Sequence, residues 1–366
     1  MTKPLIALVG TRPEAIKMAP VIQALRRDGT HDVRVVSTGQ HREMLRQTLG
    51  IFNITPDAEL DVMQPNQSLA TLTANLFRTL DPLIEQLNPA MMIAQGDTTS
   101  VMVASICSFY RRLPFAHVEA GLRTGDIDSP FPEEFNRIVA GRLAALHFAP
   151  TQRAVDNLKR EHITQGVHLT GNTVIDALLW AAERAGPPPL TLREGQRLVL
   201  VTCHRRENFG VPLGRIFGAL KRIVAAAPDC EIIYPVHPNP NVRDRAHAEL
   251  GGISRIHLVE PLDYSDLVAA MKHATLVLTD SGGIQEEAPS LKKPVLVLRE
   301  STERPEAVES GVAAIAGTDE DLIFTKAMRL LTDKAHYASM ATGANPYGDG
   351  HAALRIVKAI NAYLKR

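Results

Sequence analysis

The sequence predicts an α/β protein built on two parallel sheets, and three observations carry that expectation. Short apolar runs rich in Val, Ile and Leu recur along the chain, helix-length segments separate them, and nearly every loop equipped with polar and charged residues directly follows such a run. Continuous apolar strands mark sheets buried on both faces, as parallel sheets covered by crossover helices are. The first set reads PLIALVG, VRVVSTG, MMIAQGD, PFAHVEA, LHFAP and VHLTGN; the second reads RLVLVTCH, EIIYPVH, IHLVEP, TLVLTD and PVLVLRE. Between the sets, AGPPPLTLREGQ at residues 185–196 places three consecutive prolines where regular structure cannot continue. The helix VIDALLWAAERA just before them fits either half, which brings the boundary close to Gly171. The final segment, HAALRIVKAINAYLKR, has apolar residues at helical spacing and a basic end, as a closing helix should. A chain of 366 residues exceeds one ordinary core, so two domains are expected.

Composition excludes several classes of function. Forty basic side chains balance forty acidic ones, against the basic excess of a general nucleic-acid or anionic-membrane binder, so an anionic ligand must be met by local charge. The N-terminus passes almost directly into a strand, leaving no room for a signal peptide, and no apolar stretch reaches membrane-spanning length. Three cysteines without C-x-x-C spacing fit a reducing cytosol, hence a cytoplasmic protein. Thirteen histidines occur without H-E-x-x-H or a Cys/His cluster, so no metal site is expected.

In open parallel sheets ligands bind beyond the carboxyl ends of the strands. The equipped loops lie there, and two such sheets facing each other would frame a cleft. GTRPEAIKMAP offers Arg12 and Lys17 around a strand-to-helix turn and suits either a phosphate or nucleotide-sugar, or a solvated basic turn. It is neither G-x-G-x-x-G nor a P-loop, which removes support for NAD and ATP. QGDTTS sets Asp97 at a strand end, as an acid or as a helix N-cap. HVEAGLRTGDIDSPFPEEFNR places Glu119 after a strand and Glu133 and Glu134 beyond a long loop rich in Gly and Pro. Carboxylates converging from separate loops are what acid–base chemistry needs, because crowding and burial push their pKa values apart. Surface pairing with Arg123 and Arg137 is the alternative. His204, followed by Arg205 and Arg206, suits a diphosphate and titrates near neutrality. His237, between prolines, reads first as a rigid turn. Arg299 and Arg304 either clamp an anion or pair with Glu300, Glu303 and Glu306 on the surface.

TDSGGIQEEAPSL ends an apolar run with Ser281, Gly282 and Gly283 and sets Glu286 and Glu287 soon after. If the glycine-rich turn gives N–H groups to a diphosphate, Glu287 one turn on accepts hydrogen bonds from a neutral diol such as ribose.

Taken together, GTRPEAIKMAP, QHREML, GDTTS, HVEAGLRTGD, PEEFNR, TGNTVIDAL, HRREN, PVHPNPNV, TDSGGIQEEAPSL, KPVLVLR, ERPEAV and NPYGDG strongly resemble the bacterial non-hydrolysing UDP-N-acetylglucosamine 2-epimerases. The resemblance runs over essentially the whole chain. It implies two Rossmann-like domains of the glycosyltransferase-B type facing an interdomain cleft: residues 1–171 with the returning helix 352–366 carrying the carboxylates, and residues 172–351 binding UDP. It implies interconversion of UDP-GlcNAc and UDP-ManNAc by elimination of UDP to a bound 2-acetamidoglucal and re-addition, with no cofactor. Asp97, Glu119, Glu133 and His204 match the family's catalytic groups; Arg12, Lys17, Ser281, Gly282, Gly283, Glu287 and Arg304 match its nucleotide-sugar contacts. Gln40, His41 and Glu43 resemble the neighbourhood of a second, activating UDP-GlcNAc site, and a homodimer is the family expectation. The rival readings are a UDP-sugar glycosyltransferase, a hydrolysing epimerase, an epimerase for a UDP-2,3-diacetamido uronic acid sugar, and a catalytically silent sugar-nucleotide sensor.

Overall fold

The computed structural model describes residues 3–39, 42–64 and 66–365. The chain forms two compact units, residues 1–177 with 347–366, and residues 178–346.

In the first unit, strands β1 (Leu5–Val9), β2 (Val33–Ser37), β3 (Ala58–Glu59), β4 (Met91–Gln95), β5 (Phe115–Val118), β6 (Leu146–Ala149) and β7 (Val167–Leu169) make a parallel sheet in the order β3-β2-β1-β4-β5-β6-β7. In the second, β8 (Arg197–Thr202), β9 (Cys230–Pro235), β10 (Ile256–Val259), β11 (Ala274–Thr279), β12 (Val295–Val297) and β13 (Ala313–Ile315) run in the order β10-β9-β8-β11-β12-β13, also parallel. The strand runs read from the sequence are all present. β3 and β13 were not legible: each is two or three residues at a sheet edge, too short to show an apolar pattern.

Strand order reverses between β1 and β4 and between β8 and β11, and register makes those reversals matter. Leu8 pairs with Ala94, so Gly10–Thr11 and Gly96–Asp97 leave the first sheet side by side. Thr202 pairs with Thr279, so Cys203–His204 and Asp280–Ser281 leave the second side by side. Such switch points are where parallel sheets hold ligands. The central strands are buried throughout, with β1 and β4 reading Leu-Ile-Ala-Leu-Val and Met-Met-Ile-Ala-Gln.

The closing helix, Ala352–Leu364, belongs to the first unit and packs on the helix Arg12–Asp28. Asp176, buried on the helix Thr173–Arg184, accepts the backbone N–H of Ala352 at 3.2 Å and of Ala353 at 2.9 Å, so it serves as the cap that His351 does not provide. Among the described residues, no helix is long and apolar enough to cross a membrane. Cys107, Cys203 and Cys230 are buried free thiols.

Candidate active site

At the switch point of the first unit, Glu119 follows β5 in a left-handed backbone conformation with φ of 63°. A non-glycine residue pays about 1–3 kcal/mol for such a backbone, and this position recovers it through the side chain. Its carboxylate receives Lys17 Nζ at 2.5 Å and Asn172 Nδ2 at 3.2 Å, together with a short hydrogen bond from Gln95 Nε2. Three separate elements thus converge on one buried carboxylate, and Lys17 compensates its charge.

Asp97 lies next to this group but is not the N-cap of the helix Thr99–Tyr110; Thr98 takes that position. Asp97 Oδ2 accepts from Arg137 Nη2 at 2.7 Å, and its backbone carbonyl accepts from Asn136 Nδ2 at 2.9 Å. Arg137 is therefore a half-buried partner of half-buried Asp97. Burial pushes the Asp97 carboxyl upward, the Arg137 guanidinium opposes that rise, and Glu119 and Glu133 add to it. A carboxyl raised in this way moves toward the range where it can both give and take a proton.

The two adjacent glutamates part company. Glu134 is buried and accepts from the N–H of Thr124 at 3.1 Å and of Gly125 at 3.2 Å, which latches the long loop to the helix Glu133–Leu143. Glu133 is only partly buried and faces the Asp97 side. Arg12 opens the helix Arg12–Asp28. Glu43 is exposed in the first turn of the helix Arg42–Ile51, while Gln40 and His41 lie outside the described residues.

At the switch point of the second unit, His204 is about a third exposed and stacks on His237, with ring centroids 5.4 Å apart and planes 10° from parallel. Burial lowers the pKa of His204, Asp280 opposes that, and His237 and Arg205 reinforce it. Gly282 sits between two guanidiniums: a β-carbon there would lie 3.8 Å from Arg304 Cζ and 4.0 Å from Arg205 Nη2. Ser281 spends its N–H on Thr279 Oγ1 at 2.9 Å, which leaves the first-turn amides of Gly282 and Gly283 beside those cations. Glu287 is buried and accepts from Tyr264 Oη at 2.9 Å. Arg304 pairs with buried Glu286, and Arg299 meets Glu207 at 2.5 Å and Glu303 at 3.3 Å.

Sequence reasoning passed over three groups that complete these arrangements. Gln95 and Asn172 orient Glu119. Glu14 is buried, accepts the N–H of Gly10 at 2.6 Å and of Thr11 at 2.9 Å, and receives Thr98 Oγ1 at 2.6 Å, so it ties the β1 loop to the β4 loop. An added β-carbon at Gly10 would stand 2.7 Å from Thr38 Oγ1 and 3.0 Å from Glu14 Oε2, so a larger residue would displace these side chains. Burial raises the Glu14 pKa to about 7, against the hydrogen bonds that lower it. The Thr11-x-x-Glu14 spacing was a visible signal, since it is a capping box, but spacing alone does not show that the box is buried.

Residues 23–361 match the family model described as UDP-N-acetylglucosamine 2-epimerase. The chain belongs to this family. The UDP-N-acetylglucosamine 2-epimerase of Yersinia pestis is 49% identical over 366 residues, covering 97% of both chains. The crystal structure of UDP-GlcNAc 2-epimerase from Neisseria meningitidis bound to UDP-GlcNAc is similar with a TM-score of 0.88 at 41% identity, covering 98% of this chain and 100% of that one. A glycosyltransferase from Streptomyces nogalater shares the fold alone, with a TM-score of 0.60 at 16% identity over 99% of this chain and 95% of that one. This chain thus carries, on two parallel-sheet units of glycosyltransferase-B kind, carboxylates at the strand ends of one unit and a histidine with guanidiniums at the switch point of the other.

Proposed function

We propose that this chain interconverts UDP-GlcNAc and UDP-ManNAc at C2 without a cofactor. The observation that carries the reading is the match to curated UDP-GlcNAc 2-epimerases along nearly the whole chain, at 49% identity for the Yersinia pestis enzyme. The residue chemistry supports a specific route. A carboxylate among Asp97, Glu119 and Glu133 takes the C2 proton; the C2–H electron pair becomes the C1–C2 double bond; and the C1–O bond breaks with its electrons leaving on UDP. A second group of the set returns a proton to the opposite face of C2 as UDP adds back at C1. The intermediate is 2-acetamidoglucal; the first carboxyl then loses its proton to solvent and the second group regains one from solvent, which restores the starting protonation for the next turnover.

In this reading Lys17 and Arg137 hold the acids in place, and Arg12 adds positive charge toward the nucleotide-sugar. His204, Arg304 and the amides around Gly282 and Gly283 stabilise the departing diphosphate, because fixed donors and cations act most strongly on charge that develops in the transition state. Ser281 borders that cradle, and Glu287 accepts from the ribose hydroxyls. Incubation with UDP-GlcNAc in deuterated water, without an acceptor, should yield UDP-ManNAc carrying deuterium at C2, read by proton NMR. Free ManNAc with UDP would convert the reading to a hydrolysing enzyme, and absence of exchange, with fresh substrate present as activator, would remove it.

A further inference from the structure

We propose that Asp280 is a positioning residue for His204: it fixes the imidazole with Nδ1–H turned to its own carboxylate, so that Nε2 is the nitrogen presented to the diphosphate. The proposal rests on the reading of His204 given above. Asp280 is fully buried at the end of β11. One oxygen, Oδ2, accepts from the N–H of His204 at 2.8 Å, the N–H of Arg205 at 2.8 Å and Asn208 Nδ2 at 3.0 Å, which sets the backbone of the loop that carries the histidine. The other oxygen, Oδ1, is buried without a hydrogen-bond partner among the described residues and stands 3.5 Å from His204 Nδ1. A buried carboxylate oxygen left open is costly, and the ring nitrogen beside it is the donor that would satisfy it.

The groups around the pair sharpen the assignment. His237 stacks on the outer face of His204 and accepts the Asn239 N–H on Nδ1 at 3.1 Å, so its own proton sits on Nε2. Arg205 lies on the same loop as His204. Cys203 and Tyr234, beneath Asp280, are neutral because burial pushes both well above their ordinary values. Asp280 is thus the anion that faces His204. With Nδ1–H held there, Nε2 carries a lone pair when the ring is neutral and a proton when it is charged, and the charged form is favoured beside a departing anion.

Asp280→Asn separates orientation from loop structure. The amide oxygen replaces Oδ2 for the three donors, while the amide NH2 faces His204 and forces Nδ1 to accept, which inverts the tautomer. Long-range ¹H–¹⁵N spectra of the full-length protein, with the His204 signal assigned by its loss in His204→Asn, should show neutral His204 as the Nδ1–H tautomer in the wild type and as Nε2–H in Asp280→Asn. The variant's kcat should fall by at least about a hundredfold with KM little changed, and the ionisation of His204 should move to lower pH in both the spectra and the pH–rate profile. An Nε2–H tautomer in the wild type overturns the proposal, as does an Asp280→Asn variant with unchanged tautomer and pH profile. If Asp280→Asn does not fold, the wild-type spectrum alone decides. Wild-type protein that shows the Nδ1–H tautomer but no epimerisation would refute the functional reading and leave the assignment standing.

Discussion

Glu14→Gln tests whether the capping carboxyl under the first switch point is buried as described. The geometry accommodates the change: the amide oxygen takes the place of Oε2 for the Gly10 and Thr11 N–H groups, and the NH2 faces Thr98, whose hydroxyl rotates to accept. The difference lies in charge. The folded pKa is raised from 4.5 to about 7, so between those values the folded protein holds a proton that the unfolded chain releases. The stability supplied by wild-type Glu14 is therefore present below pH 4.5 and is lost as pH rises toward 7, by about 3 kcal/mol in full. Glutamine has no such loss. Urea unfolding followed by circular dichroism at intervals from pH 4.5 to pH 8 should show the variant gaining on the wild type by about that amount across the range. A difference that stays flat, or that moves against the variant as pH rises, would refute the argument, because an exposed capping carboxylate with a lowered pKa gives the opposite slope.

Asp97→Asn and His204→Asn should each lose at least about two powers of ten in turnover while keeping wild-type circular dichroism, and full activity in either removes that residue from the mechanism. Asp176→Ala leaves the Ala352 and Ala353 N–H groups without their acceptor and should cost about 2–3 kcal/mol, read as a lower melting temperature of the first unit by calorimetry; an unchanged melting temperature would show that the closing helix docks without this cap. Glu134→Ala frees the Thr124 and Gly125 N–H groups and should speed proteolysis within residues 122–131, whereas equal cleavage rates would place the loop's restraint elsewhere.

The fold was legible because its central strands are short, continuous apolar runs rich in Val, Ile, Leu and Met, and their ends were legible as loops of glycine and charge. The two short edge strands were hidden because Ala58–Glu59 and Ala313–Ile315 hold too few residues for a pattern. Within the candidate site, a sequence shows which acids stand at strand ends but not which of two neighbours is buried. Glu133 and Glu134 are adjacent, and only the fold brings Glu134 to the loop's amides. Asp280 was masked in the same way, one residue before the serine and glycines that attract attention. Its importance depends on Thr279 pairing with Thr202, a register that brings it beside His204 and that periodicity cannot supply. Glu119's left-handed backbone was equally invisible, since it requires Lys17, Gln95 and Asn172 to arrive from other parts of the chain.

The proposed route depends on reversible cleavage of the bond between C1 and the oxygen of UDP. UDP-GlcNAc labelled with ¹⁸O in that bridging position, incubated with the protein and followed by ³¹P NMR, tests it directly. Elimination lets the β-phosphate oxygens exchange places before UDP adds back, so label should spread from the bridge to the non-bridging positions of recovered substrate and product. Epimerisation with the label still in the bridge would contradict elimination of UDP.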